Sequence, residues 1–253
     1  FNTTTGKYDA DSSNVRIASV VKAGYYFTEP HTSTYCTNSP TALMYYKTAA
    51  KCPETGLCPG ATVPRCNSGE HVYGEPFGKY ACSSLGAFYT TSAAGAKTDT
   101  ACYGTTTKTK YIAKANDATE SVCAENGYCQ GGVSVNYGST GGRTACSGSY
   151  TLAASGSDDA NDCYLKTTAG SYVKSAGAGQ TTCPAGSWCV GNVVIYKGGS
   201  VSGRNTSGGS QQCPAGYQDG TTGYSLESQC LMNVDGGHYV ASAKESPASG
   251  TCQ

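Results

Sequence analysis

This 253-residue chain contains fifteen cysteines, several times the usual share for a protein of its length. Thiols at this density are either oxidised to disulfides or bound to metal. Zinc and iron–sulfur sites need close ligand pairs such as Cys-x-x-Cys, commonly supported by histidines. The chain contains no Cys-x-x-Cys, and His31, His71 and His238 stand far apart in the sequence. The pattern therefore predicts disulfides in an oxidising, extracellular or cell-surface location, with no metal and no cofactor.

Two groups of acidic residues could in principle bind calcium. The first is the run 158–162, which contains three aspartates, and the second is Asp9 with Asp11. Neither follows the alternating D-x-D-x-D-G phrase of a calcium loop. The loops equivalent to 158–162 elsewhere read GAKTDTA and GYSLESQ, each with a single carboxylate. We therefore expect no calcium site.

Catalysis and nucleic-acid binding both lack their usual residues. None of the histidines lies in a nucleophile motif, and His238 aligns with Lys110 and Ser171, which indicates a variable strand position. Charged residues make up only 13% of the chain, and the net charge is zero, so no basic surface for nucleic acid is expected. No apolar run approaches the roughly 20 residues of a membrane span. These features predict a protein that is not an enzyme.

Self-similarity arranges the cysteines in repeats, each with four cysteines that we name a, b, c and d. The segment 170–196 matches 109–137, and 237–252 begins the same phrase again. The three sets, in the order a to d, are Cys52, Cys58, Cys82, Cys102; Cys123, Cys129, Cys146, Cys163; and Cys183, Cys189, Cys213, Cys230. The predicted domains are a partial N-terminal repeat at 1–36, full repeats at 37–102, 103–163 and 164–230, and a partial C-terminal repeat at 231–253.

The pairing of the cysteines has two simple solutions. Pairing a with b and c with d inside each repeat leaves Cys36, Cys66 and Cys252 over. Pairing each d with the following a, and b with c, leaves only Cys66, which becomes an unpaired or intermolecular candidate. We favour the second scheme, and a local Cys58–Cys66 bridge remains an alternative that would free Cys82. The favoured bridges are Cys36–Cys52, Cys102–Cys123, Cys163–Cys183, Cys230–Cys252, Cys58–Cys82, Cys129–Cys146 and Cys189–Cys213.

Local patterns indicate strands and not helices. Short runs rich in Tyr and Val, at 111–113, 172–174, 193–196 and 239–241, are bounded by Gly, Ser, Asn or Asp, as small β-hairpins are. A chain this poor in Leu, Ile, Phe and Met cannot offset ordering entropy of about 1.5 kcal/mol per residue by burial alone, so covalent crosslinks must contribute. We predict a small disulfide-rich all-β fold, an elongated tandem array of disulfide-pinned β-hairpin repeats.

The phrases CPETGLC, CPAGSWC and CPAGYQDG resemble the "CPAG-type" cysteine-rich repeats of tumour-necrosis-factor-receptor-like and ephrin-receptor-like modules and of bacterial and protist surface proteins. The resemblance implies an extracellular stalk, coat, adhesin or receptor ectodomain without an active site. The chain lacks the Cys-x-x-Cys pairs of the receptor modules, so the resemblance does not imply that it binds their ligands. Two sequons, at Asn2 and Asn205, are candidate glycosylation sites on such a glycoprotein.

Two functions follow as expectations. The first is an extracellular structural protein, a subunit or segment of a surface filament, sheath or fibre. Its partners would be copies of itself joined head to tail through the partial terminal repeats. The alternative is the ectodomain of an adhesin or receptor that binds a host protein or glycan through Tyr-, Ser- and Gly-rich loops. The irregular segment 53–80 is the best candidate for such a loop.

Overall fold

The structure is a computed structural model that describes residues 20–28, 49–62, 78–199, 202–217, 220–234, 236, 238–239 and 250–251. The chain divides into two compact units, the first formed by residues 1–121 and 131–142 and the second by residues 122–130 and 143–253. No α-helix occurs among the described residues, which contain short strands and four single 3₁₀ turns. None of the described segments is a helix long and apolar enough to span a membrane. The prediction of a small disulfide-rich all-β fold is confirmed.

The strands are two to four residues long. In chain order they are β1 Val20–Val21, β2 Tyr25–Phe27, β3 Ala49–Lys51, β4 Gly56–Leu57, β5 Ala61–Thr62, β6 Tyr80–Ala81, β7 Thr91–Ser92, β8 Cys102–Thr105, β9 Lys110–Tyr111, β10 Ser121–Val122, β11 Gly127–Tyr128, β12 Ser134–Asn136, β13 Thr144–Ala145, β14 Tyr164–Lys166, β15 Ser171–Val173, β16 Gln180–Thr182, β17 Ser187–Trp188, β18 Val194–Tyr196, β19 Gln211–Gln212, β20 His238–Tyr239 and β21 Gly250–Thr251. The 3₁₀ turns are Cys82–Leu85, Asp99–Ala101, Ala160–Asp162 and Glu227–Gln229.

Each strand pair named in this paragraph is antiparallel. In the first unit β1 pairs with β5, β2 with β3 and β4 with β6, while β8 lies between β7 and β12 in a three-stranded sheet. In the second unit β11 pairs with β13, β14 with β18, β15 with β16, β17 with β19, and β20 with β21. The four runs expected from the sequence, at 111–113, 172–174, 193–196 and 239–241, each overlap a strand, namely β9, β15, β18 and β20.

Each unit has a small core built around a disulfide between cysteines c and d. In the first unit Leu57, Tyr89 and the Cys82–Cys102 bridge are buried together. In the second unit the buried cluster contains Tyr150, Cys163, Leu165, Val173 and Ile195. Burial raises the pKa of both Tyr89 and Tyr150. The Tyr150 hydroxyl stays hydrogen-bonded by donating to the Ala178 carbonyl at 2.6 Å. Tyrosine and cystine thus fill space that Leu and Phe fill in larger domains.

The favoured pairing of d with the next a and b with c is wrong. Six disulfides join a to b and c to d: Cys52–Cys58, Cys82–Cys102, Cys123–Cys129, Cys146–Cys163, Cys183–Cys189 and Cys213–Cys230. The physical reason is local geometry. A tight turn between a and b brings their Cα atoms within 5.8 to 5.9 Å, within the range that a disulfide spans. The predicted Cys58–Cys66 alternative fails because Cys58 is bonded to Cys52.

Candidate functional site

The turn between cysteines a and b has the same structure in all three repeats. The fourth and fifth residues after a form a strand (β4, β11 or β17) that pairs with the two residues before c (β6, β13 or β19). The backbone N–H of c then donates to the carbonyl of the third residue after a, at 2.9 to 3.1 Å in the three copies. These contacts join the turn between a and b to the strand that ends just before the c cysteine of the same repeat.

A glycine in the c–d segment completes this arrangement. The N–H groups of Gly95, Gly156 and Gly223 donate to the carbonyls of Cys52, Cys123 and Cys183 at 2.8 to 2.9 Å. All three glycines have a positive φ, between 78° and 85°. Residues other than glycine adopt a positive φ only at a cost in free energy. This backbone conformation therefore explains why a glycine recurs at this position of the repeat.

A second recurrent feature is a strand that returns after b. We call β5, β12 and β18 the return strands, and β1, β8 and β14, with which they pair, the acceptor strands. The return strands follow a glycine two residues after b: Gly60, Gly131 and Gly191, with φ of 78° to 88°. A Cβ at any of these glycines would stand 2.6 to 3.1 Å from backbone atoms just beyond the acceptor strand. The glycine therefore permits the two backbones to approach closely.

Buried threonines fix the register of two of these pairs. Thr106 and Thr167 are both 3% exposed and lie four residues after a d cysteine. The Oγ1 atoms accept hydrogen bonds from the N–H groups of Val133 and Val193, at 3.2 and 3.1 Å. Sequence reasoning missed these threonines, although their constant spacing from d was a signal that could have found them.

The acidic run 158–162 has structural partners. Asp159 caps the 3₁₀ turn by accepting from the Asn161 N–H at 2.7 Å. Asp162 accepts from Arg204 at 2.6 Å and from the backbone N–H groups of residues 158 and 159 at 3.0 and 3.2 Å. The Arg204 guanidinium also lies over the Tyr196 ring, 4.5 Å from its centroid. The run thus anchors the loop that follows β18.

The pKa of the Asp162 carboxyl reflects these contacts. Burial acts to raise the pKa, but hydrogen bonds from Arg204 and from two backbone N–H groups, with the charge of Arg204, outweigh it. The folded pKa is therefore lower than the ordinary aspartate value. Ionised Asp162 consequently stabilises the fold above about pH 4, the usual value in unfolded chains, and this stabilisation disappears as the pH falls through the lower folded pKa.

Replacing Arg204 by alanine should reduce the free energy of unfolding at pH 7 by about 1 kcal/mol, because the pair is only partly exposed and is hydrogen-bonded. Arg204→Lys is the control that keeps the charge and loses the planar contact with Tyr196, and we expect an intermediate loss. Denaturant unfolding at pH 7 and at pH 2 checks this. An alanine effect of equal size at both pH values would contradict the role of ionised Asp162.

A surface depression in the first unit is a candidate location for small-molecule binding. A shallow depression of about 270 Å³ is lined by Ala87, Phe88, Lys110, Ala118, Thr119 and Glu120. Glu120 is already engaged, because its carboxylate accepts from the N–H and hydroxyl of Thr107 at 2.6 and 3.0 Å. The depression offers an aromatic surface beside a lysine but no nucleophile paired with a base. This arrangement suits contact with a ligand better than catalysis.

The remaining predicted residues are distributed as follows. Asn205 is exposed, and its carbonyl accepts from the Tyr196 N–H at 2.8 Å, so the sequon side chain is accessible to a modifying enzyme. Within the described part of the chain no group of three or more His, Cys, Asp and Glu side chains is placed to hold a metal ion. Candidate residues that lie outside the described residues are Asn2, Asp9, Asp11, His31, Cys36, Cys66, His71 and Cys252. His238 begins β20.

No protein-family model matches the chain, and neither a curated protein nor a solved structure matches it significantly. The resemblance to CPAG-type repeats stays a prediction.

Proposed function

We propose that this chain is a structural segment of an extracellular filament, sheath or fibre, built from stacked repeats and assembled head to tail. The observation that carries the proposal is a sheet shared by consecutive repeats. Strand β8 pairs on one side with β7, from the repeat at 37–102, and on the other with β12, from the repeat at 103–163. A corresponding bridge joins Leu152 to Tyr164, which pairs with Tyr196.

The energetics of such units favour a structural role. Each repeat has its own two disulfides, yet its buried cluster is completed by residues of the neighbour, as Leu165 and Val173 pack with Tyr150. A unit that completes its core through its neighbour favours continuation, because an end without a neighbour exposes apolar surface. Six disulfides also fit a secreted or extracellular protein. The contacts among the described residues support stacking of the repeats and do not support a catalytic role.

Electron microscopy of the oxidised protein, together with sedimentation, tests the proposal. We expect filaments or elongated oligomers whose axial repeat is constant, and their loss after reduction and alkylation of the disulfides. A strictly monomeric, compact particle across a wide concentration range would contradict the proposed function.

An adhesin or receptor ectodomain is the second candidate, and the depression beside Phe88 is the observation that favours it. Aromatic surface next to a lysine suits a glycan or peptide ligand. A glycan array probed with the oxidised protein and with Phe88→Ala distinguishes the two functions. Binding that requires Phe88, by a particle that forms no filaments, would favour the adhesin.

A further inference from the structure

The third repeat has a longer loop after its return strand than the second repeat has, and this loop contains a glycosylation sequon. In both repeats the chain next reaches a glycine that forms a β-bridge, Gly141 in the second repeat and Gly208 in the third. Residues 137–140 connect β12 to the first glycine, whereas residues 197–207 connect β18 to the second. The longer loop includes the sequon Asn205-Thr206-Ser207, which lies outside the strands of the repeat.

Contacts on both sides hold the sequon in place. Arg204, directly before it, donates to the Asp162 carboxylate at 2.6 Å. Gly208, directly after it, exchanges two backbone hydrogen bonds with Val173, at 2.8 and 2.9 Å. Asp162 belongs to a 3₁₀ turn and Val173 to β15, so both partners are part of the ordered second unit. The sequon therefore lies at a defined place on the surface of that unit.

Asn205 and Ser207, the two residues that define the sequon, are both exposed. The contact of Asn205 with β18 uses a backbone atom, because its carbonyl accepts from the Tyr196 N–H at 2.8 Å. A sugar attached to the side-chain nitrogen of Asn205 would displace neither this hydrogen bond nor the ion pair of Arg204 with Asp162. The fold can therefore carry a large group at Asn205 without losing these contacts.

The disulfides give independent support for exposure of this sequon to a glycosylating enzyme. Six bridges join described cysteines, and such bridges form in the oxidising lumen of the secretory pathway. N-linked sugars are attached to Asn-x-Ser/Thr sequons of secreted chains in that lumen in eukaryotic cells. A chain that forms these bridges in a eukaryotic cell therefore passes through the compartment in which Asn205 is modified.

We propose that Asn205 carries an N-linked oligosaccharide, transferred from a lipid-pyrophosphate-linked oligosaccharide by a transferase of the producing cell. In this step the Nδ2 atom of Asn205 forms a bond to C1 of the first sugar and loses one proton. The bond from C1 to the pyrophosphate oxygen breaks, and the lipid pyrophosphate leaves with that electron pair. Ser207 supplies the hydroxyl that the sequon requires two residues after the asparagine. The inference goes beyond the proposed fibre and shares with it only the extracellular location.

Mass spectrometry of the protein secreted by its own organism tests this inference. The denatured protein is treated with an amidase that releases N-linked sugars and converts the attached asparagine to aspartate. This treatment precedes trypsin, because cleavage after Arg204 makes Asn205 the first residue of peptide 205–244. We expect aspartate at position 205 in most treated copies, and asparagine bearing the sugar in a mock-treated sample. Unmodified Asn205 in the isolated protein would overturn the inference.

Two neighbouring substitutions separate the sequon from the loop around it. Ser207→Ala removes the required hydroxyl, whereas Thr206→Ala changes the middle position, where any residue except proline is accepted. In protein secreted from a eukaryotic host, we expect Ser207→Ala to lose the sugar at Asn205 and Thr206→Ala to keep it. Equal occupancy of Asn205 in the two variants would also overturn the inference.

The outcome for the sugar is distinguishable from the outcome for the fibre. An unmodified Asn205 in protein that forms filaments would refute the glycan while leaving the fibre proposal intact. A sugar at Asn205 on a protein that never forms filaments would have the reverse meaning.

Discussion

Replacing Cys146 and Cys163 together by alanine should lower the free energy of unfolding by about 3 kcal/mol. The bridge closes a 17-residue separation, for which the chain-entropy relation gives roughly this value. Cys163 also belongs to the buried cluster with Tyr150 and Leu165, so loss of its sulfur removes packing as well. Removal of both thiols avoids leaving a reactive cysteine. Urea unfolding followed by tyrosine fluorescence gives the measurement.

The matched control is the double replacement of Cys123 and Cys129. This bridge closes a separation of only 6 residues, so the same relation gives a loss of about 2 kcal/mol. If removal of the a–b bridge were the more damaging change, the long loop would not be the main covalent constraint. No loss from either double variant would contradict a fold that depends on its disulfides.

Replacing Gly131 by alanine should destabilise the first unit by about 3 kcal/mol, from a left-handed backbone and a steric clash together. Its φ is 78°, and a Cβ there would stand 2.7 Å from the Lys108 backbone nitrogen, which cannot move aside as a flexible side chain can. The clash would separate β12 from β8, because Gly131 begins the segment that returns to the acceptor strand. Denaturant unfolding of the oxidised protein measures the loss.

Gly132→Ala is the control for backbone conformation alone. Gly132 also has a positive φ, 73°, but nothing lies within 4 Å of its Cβ position. We expect a loss of about 1 kcal/mol from the φ preference. The difference between the two variants isolates the close approach. Equal effects would show that the return strand does not require contact between the two backbones at this glycine.

Much of the local structure could be predicted from the sequence because it depends on short spacing. The cysteine period and the Tyr- and Val-rich runs predicted β-hairpins, and β15 and β18 lie at those runs or within one residue of them. The exposure of Asn205 followed from its Gly- and Ser-rich loop. Residues that are close in sequence come together through a single turn, and Gly, Asn and Pro in the sequence indicate where such turns form.

The disulfide pairing could not be predicted in the same way. Counting unmatched cysteines favoured a bridge from Cys102 to Cys123, whereas the structure pairs Cys102 with Cys82. The pairing depends on the backbone conformation of the turn after each a cysteine. In the second repeat, Asn126 of this turn adopts a φ of 62°, and its carbonyl accepts a hydrogen bond from the Cys146 N–H. The ion pair of Arg204 with Asp162 was equally hidden, because its members lie 42 residues apart. Contacts of this kind require three-dimensional proximity that spacing does not encode.

Covalent bonds lie within each described repeat, while hydrogen-bonded strands and packing join one repeat to the next. Trypsin digestion without reduction, after blocking of free thiols and denaturation, tests it directly because cleavage sites fall between the cysteine pairs. We expect separate peptides 115–143, 144–166, 175–197 and 205–244, each with one internal disulfide and therefore lighter by two hydrogens than its reduced form. Recovery of these segments covalently linked to one another, as bridges from d to the next a and from b to c require, would contradict it.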